Sequence, residues 1–223
     1  MLPTEVLDRA QIPGGGELRL VRHGGDFKIL LDRNELMSSR MSGSEKALAT
    51  MTLARLTGRK RPHLLIGGYG MGFTLRAALA ERADVRVTLV ELVPEVIAWA
   101  RGPMAELAAG SLDDPRVTLA MGDVGAAIAG ARGRYDAILL DVDNGPDGVV
   151  RDDNDAIYSA RGLDAAHAAL TPGGVLAVWS AAPDPAFTRR LVQAGFAVEE
   201  EIVRARDNGK GPRHTIWFAS KRP

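Results

Sequence analysis

Cysteine is absent from the 223-residue chain. Disulfide frameworks, thiolate nucleophiles and zinc–thiolate sites are therefore closed to it, and the absence fits a reducing compartment. Aromatic residues make up only 5%. None interleave with the basic clusters RLTGRKRPH and RARDNGKGPRH, which read as solvated turns. Net charge is missing as well: 28 basic residues offset 28 acidic ones. A dedicated nucleic-acid binder normally carries a basic excess, so no nucleic-acid partner is expected. No apolar run approaches about 18 residues, so no membrane span is expected. MLPTEVLDRAQIPGGGE lacks a basic region followed by an apolar one, which argues against a secretory signal and for a cytoplasmic protein. His23, His63, His167 and His214 show neither metal-ligand spacing nor a triad pattern, so no metal is expected.

What is present is ordinary globular material, 46% apolar and 25% charged. The first sixteen residues, with two prolines and Gly14-Gly15-Gly16, read as a flexible lead-in. ELRLVRH and DFKILLD alternate apolar and polar residues around Gly24-Gly25, a hairpin signal. Residues 33–42 have room for one more short strand. EKALATMTLARL has helical periodicity and stops at Gly58. Beyond Pro62, short apolar strands (HLLIG, VRVTLVE, RVTLAMG, YDAILLD, GGVLAVWS) alternate with helical segments. That pattern predicts a parallel sheet covered on both faces. AVEEEIVRAR and RHTIWFAS, joined by the polar turn DNGKG, require at least one antiparallel strand. The expected fold is α/β: a doubly wound, mostly parallel Rossmann-like sheet over residues 61–223. A small β-hairpin unit and linking helix precede it over residues 1–60.

Residues 66–76, IGGYGMGFTLR, sit between a predicted strand and helix. In such a fold that turn lies at the carboxyl edge of the sheet, where ligands bind. Gly68, Gly70 and Gly72 are spaced G-x-G-x-G. A dinucleotide fingerprint would need glycine at Phe73, so the spacing points to a nucleoside cofactor without a pyrophosphate, such as S-adenosylmethionine. A plain packing turn is the alternative. Glu91 ends the next strand, where a carboxylate can accept from both ribose hydroxyls; a solvated strand end is the alternative. Asp123 can accept from an adenine amino group or cap the helix that follows it. Both roles coexist only if its two oxygens divide the work. Asp141, Asp143 and Asn144 follow the fourth strand. A carboxylate there can orient an amine nucleophile and take its proton, although DVDNGP is also a turn composition.

IGGYGMGFTLR, VTLVELVPEVIAWAR, DPRVTLAMGDV, YDAILLDVDNGP, the following IYS and LTPGGVLAVWS together resemble the spermidine synthase (polyamine aminopropyltransferase) family. That family lies within the class I S-adenosylmethionine-dependent methyltransferase superfamily. The resemblance implies that S-adenosylmethionine or its decarboxylated form is the co-substrate. It implies a cofactor pocket of Gly68, Gly70, Gly72, Glu91 and Asp123, catalytic Asp141 and Asp143, and a small amine acceptor near Asn144 and Tyr158. A homodimer is implied as well. The departures are specific. The family's GGGDGG aspartate is replaced by Gly70 or Met71, and its DSSDP becomes DVDNG, with Asn144 in place of the second aspartate. Its D-E-x-x-Y-H-E signature keeps only Glu45. These losses argue against standard putrescine specificity. The implied activity is transfer of an aminopropyl or methyl group to an amine. A non-catalytic nucleoside-binding scaffold is the alternative, and an NAD-dependent oxidoreductase fits less well.

Overall fold

The computed structural model describes residues 3–13, 15–142 and 156–222. Two sheets organise them. The first is an antiparallel meander of four strands in chain order: β1 (Thr4–Gln11), β2 (Glu17–His23), β3 (Asp26–Leu31) and β4 (Asn34–Ser38). The hairpin read from Gly24-Gly25 is β2–β3, closed by the pair His23 and Asp26. Residues 4–11 are not a lead-in. They pair with β2 along their length, and the Trp99 indole N–H donates to Asp8 Oδ2 at 2.7 Å. The segment escapes sequence patterning because it is an edge strand that buries only Ala10. Its stability comes from ladder bonds and one distant tryptophan, not from its own apolar face.

The second sheet has seven strands in the order β10-β11-β9-β8-β5-β6-β7. They are β5 (His63–Gly67), β6 (Arg86–Glu91), β7 (Val117–Met121), β8 (Tyr135–Leu140), β9 (Leu170–Ser180), β10 (Phe196–Arg204) and β11 (Arg213–Lys221). β5 to β9 run parallel. β11 inserts antiparallel between β9 and β10. Leu64, Leu65 and Ile66 are all fully buried, as a strand covered on both faces requires. Residues 171–174 are part of β9. They form a bulge between the pairs Tyr135–Leu170 and Ala137–Val175, with Gly173 at φ +69.

Helices α1 (Gly43–Arg55), α2 (Phe73–Glu81), α3 (Pro94–Arg101) and α4 (Ala105–Ala108) belong to one face, with the meander. α5 (Val124–Ala129), α6 (Ala160–Ala169) and α7 (Pro185–Gln193) cover the other. Local chemistry sets several helix starts. Ser159 accepts from the Gly162 N–H, and Asp184, just before Pro185, accepts from Ala186 and Phe187. From β5 the chain moves to β6 on one side and later returns to β8 on the other. The crevice at this reversal, outside the carboxyl ends of β5 and β8, is where a doubly wound sheet holds a ligand.

Candidate functional site

The crevice at the reversal opens into a cavity of about 340 Å³. Gly68, Gly70, Glu91, Asp123 and Asp141 all line it, though they come from four different strand ends. The meander closes the opposite side with Ile12, Leu18, Ile29 and Met37. The loop after β5 stays close to this wall because glycine lets it. Gly68 has φ +82, and a Cβ there would sit 2.9 Å from the Asp141 carbonyl oxygen. Gly70 has φ +53, and its Cβ would meet the Met37 sulfur at 2.4 Å. Gly68→Ala is therefore expected to cost about 1–2 kcal/mol for the left-handed backbone alone and to push Asp141 away from the loop. Calorimetric melting and nucleoside titration should both show losses; an unchanged melting temperature would refute the close approach.

Glu91 is 6% exposed. Its Oε2 accepts from the Tyr69 N–H and its Oε1 from the Val93 N–H, both at 2.8 Å. Burial raises its pKa above the ordinary value, and the backbone donors pull against that rise. Besides Tyr69 and Val93, the Leu92 and Gly70 N–H groups act on the same carboxylate. Asp123 Oδ1 accepts from the Ala126 N–H at 2.7 Å and caps α5. The cap uses one oxygen, the division of work that a second role requires. Asp141 lies directly after β8, and its Oδ2 accepts from the Thr74 hydroxyl at 2.8 Å. Burial pushes the Asp141 carboxyl up to about 6, with the Thr74 bond acting to lower it.

Two more carboxylates line the cavity, Glu35 and Glu45. Glu45, in the first turn of α1, is 7% exposed. Burial first and the Asp141 charge second raise it to about 8. It binds more protons folded than unfolded between its ordinary value, 4.5, and about 8. Its contribution to stability is therefore fully present below that window and is lost as pH rises through it. Glu45→Gln, which cannot ionise, should melt higher than the wild type at pH 9 relative to the same comparison at pH 5. Equal differences at the two pH values would show that the carboxyl titrates normally.

Gly72 stands apart from the cavity wall: it has φ +74, and its Cβ would strike the Tyr69 ring. Tyr158 lies behind the wall, its ring edge-on to Phe187 and its hydroxyl donating to the Val142 carbonyl at 3.4 Å. Asp143 and Asn144 fall outside the described residues. Glu45, Ser44 and His214 are cavity or near-cavity groups that sequence reasoning did not assign. For Glu45 the signal is present, as the retained glutamate of the family signature. His214 has none, because its partner Ser44 is 170 residues away. Among the described residues, no group of three or more histidine, aspartate or glutamate side chains is placed to hold a metal ion. Among the described residues, no helix is long and apolar enough to cross a membrane.

The sheet order, with its crevice at the reversal, defines a class I methyltransferase-like α/β fold. The spermidine synthase of Thermotoga maritima superposes with a TM-score of 0.76 at 20% identity, covering 97% of this chain and 72% of that one. The spermine/spermidine synthase domain matches residues 43–194, and the chain belongs to that family. A polyamine aminopropyltransferase of Mycobacterium tuberculosis is 29% identical over 191 residues, which is 82% of this chain and 35% of that protein. Putrescine N-methyltransferase 4 of Nicotiana tabacum is 38% identical over 114 residues, 51% of this chain and 28% of that one. The chain spans about a third of the length of such curated relatives.

Proposed function

We propose that the protein transfers an alkyl group from a sulfonium nucleoside, decarboxylated S-adenosylmethionine or S-adenosylmethionine, to a small amine. The observation that carries this reading is the single cavity wall shared by the glycine loop, Glu91, Asp123 and Asp141. Glu91 would hold the ribose hydroxyls and Asp123 Oδ2 the adenine amino group. Gly68 and Gly70 offer bare backbone beneath the sulfonium. Apolar neighbours such as Met37, Val90, Leu92 and Val96 exclude water from the reacting centre.

The reaction is an in-line displacement. The amine nitrogen donates its lone pair to the carbon bonded to sulfur, the C–S bond breaks, and its electron pair stays on the departing thioether. Attack needs a neutral amine, yet an alkylammonium has a pKa of about 10.4. Asp141 at about 6 is a stronger base than an ordinary aspartate. That narrows the uphill proton transfer to roughly 4 units, or about 6 kcal/mol. Alignment of nucleophile and sulfonium supplies the rest. Asp143 and Asn144 are proposed to complete the acceptor end, with Tyr158 bracing the Val142 backbone beside Asp141.

Family membership favours aminopropyl transfer, and the putrescine N-methyltransferase match favours methyl transfer as the second reading. A homodimer through the meander is part of the same proposal, with Val6 exposed on its edge strand, and so is a cytoplasmic setting. Calorimetric titration with decarboxylated S-adenosylmethionine, S-adenosylmethionine, methylthioadenosine, S-adenosylhomocysteine and NAD tests the assignment. Preference for the decarboxylated cofactor and methylthioadenosine supports aminopropyl transfer. Preference for S-adenosylmethionine and S-adenosylhomocysteine supports methyl transfer. Failure of every sulfonium nucleoside and thioether product to bind overturns both.

A further inference from the structure

Ser44, Glu45 and His214 have no part in the chemistry above, yet they are linked in a row beside Asp141. Ser44 is fully buried and shares the first turn of α1 with Glu45. His214, near the start of β11, is half-buried and lines the cavity. Ser44 Oγ donates to Glu45 Oε2 at 2.7 Å, and His214 Nδ1 lies 2.8 Å from the same Oγ. At the other end, Thr74 Oγ1 touches both neighbours. It donates to Asp141 Oδ2 and lies 3.4 Å from the Glu45 carbonyl oxygen.

A hydroxyl has one proton to donate. When Glu45 is charged, Ser44 spends that proton on Glu45, so Nδ1 of His214 must carry a hydrogen and Nε2 keeps a lone pair. When Glu45 is neutral, its own O–H can donate to Ser44. The Ser44 proton then turns to Nδ1, and the hydrogen of His214 sits on Nε2. The tautomer of His214 is thus tied to the charge on Glu45. The charged groups acting on Glu45 are Asp141 and, more weakly, Asp207, which Lys46 pairs at 2.5 Å. His214 faces the edge of Trp179, with ring centroids 4.7 Å apart, and burial lowers its pKa.

We propose that Glu45, Ser44 and His214 form a proton relay that carries the acceptor's proton from Asp141 to solvent at β11. The proposal rests on the alkyl-transfer reading. Each turnover releases one proton, because an ammonium acceptor and a sulfonium become one ammonium product and a neutral thioether. Thr74 reaches only the Glu45 backbone carbonyl, so the proton passes from Asp141 to the Glu45 carboxyl through water in the cavity that both line. As Glu45 takes it up, Glu45 gives its own proton to Ser44 and Ser44 gives its own to Nδ1. The resulting imidazolium loses the Nε2 proton to water, which leaves the hydrogen on Nδ1; rotation of the Ser44 hydroxyl and return of the ring hydrogen to Nε2 through water restore the starting row. Ser44 and His214 are positioning and relay residues, since neither is argued to touch the reacting atoms.

Nitrogen-15 NMR of His214 between pH 5 and 10 tests the row without cofactor or turnover. The expected result is Nε2–H at low pH and Nδ1–H at high pH, with a midpoint matching the carbon-13 titration of Glu45. In Glu45→Gln and Ser44→Ala the tautomer should cease to follow pH. One tautomer persisting through the Glu45 titration in the wild type overturns the relay. For function, His214→Asn keeps a donor near the Nδ1 position but cannot carry a proton. Its kcat should fall by roughly 10²-fold near neutral pH, recover as pH rises or imidazole is added, and leave KM unchanged. A wild-type pH profile in that variant overturns the relay alone. Loss of nucleoside binding by the wild type would instead overturn the transferase reading, and the relay's function with it.

Discussion

Asp141→Asn should bind the sulfonium nucleoside as the wild type does and turn over roughly 10²–10⁴-fold more slowly. Asparagine is nearly isosteric, and its amide oxygen can still accept from Thr74, whose hydroxyl lies 2.8 Å from Oδ2. What it loses is the ability to take a proton. The variant also removes the charge that, after burial, raises Glu45, so the glutamate should titrate lower. Titration calorimetry checks the binding and steady-state kinetics the rate. Equal kcat values for variant and wild type would remove Asp141 from the chemistry, and the absence of turnover in both would make the protein a scaffold on this fold.

Glu91→Gln should be the most damaging isosteric change in the nucleoside half of the cavity. Both carboxylate oxygens face backbone donors, Tyr69 and Val93, at 2.8 Å. A glutamine must turn its NH₂ toward one of them and set donor against donor. Leaving a buried N–H unsatisfied costs about 1–3 kcal/mol, which at this chain length lowers the melting temperature by roughly 2–4 °C per kcal/mol. The ribose contacts weaken in addition. Two hydrogen bonds to a charged group contribute about 1.5–3 kcal/mol each, so their loss raises Kd by roughly 10²–10⁴-fold. Melting by calorimetry and titration with methylthioadenosine measure the two effects separately. A variant with wild-type stability and affinity would place the ribose elsewhere.

The parallel strands and the glycine loop were legible because their causes are local. LLIG and AILL are apolar throughout, as only strands covered on both faces are. A positive-φ turn beside a close neighbour needs glycine, as at Gly68 and Gly70. Glu91, Asp123 and Asp141 were legible for a related reason: strand ends can be counted along the chain, and the doubly wound topology brings them to one edge. Asp123 was legible only as a choice between cap and ligand, and the structure shows the cap occupying one oxygen. The strand β1 was not legible, because its pairing partner and Trp99, not its own pattern, hold it in place.

The sequence by itself determined the α/β class, the carboxyl-edge location of the candidate crevice and the residue types at its strand ends. Each of these follows from periodicity or turn chemistry within about twenty residues. Only the tertiary structure decided that the meander folds over the crevice, that Met37 rests on Gly70, and that Glu45 joins Asp141 beside Ser44 and His214. Those contacts join α1 to β11 and β4 to the glycine loop. They form because buried carboxylates and hydroxyls must find hydrogen-bond partners wherever the packing offers them, however far apart along the chain.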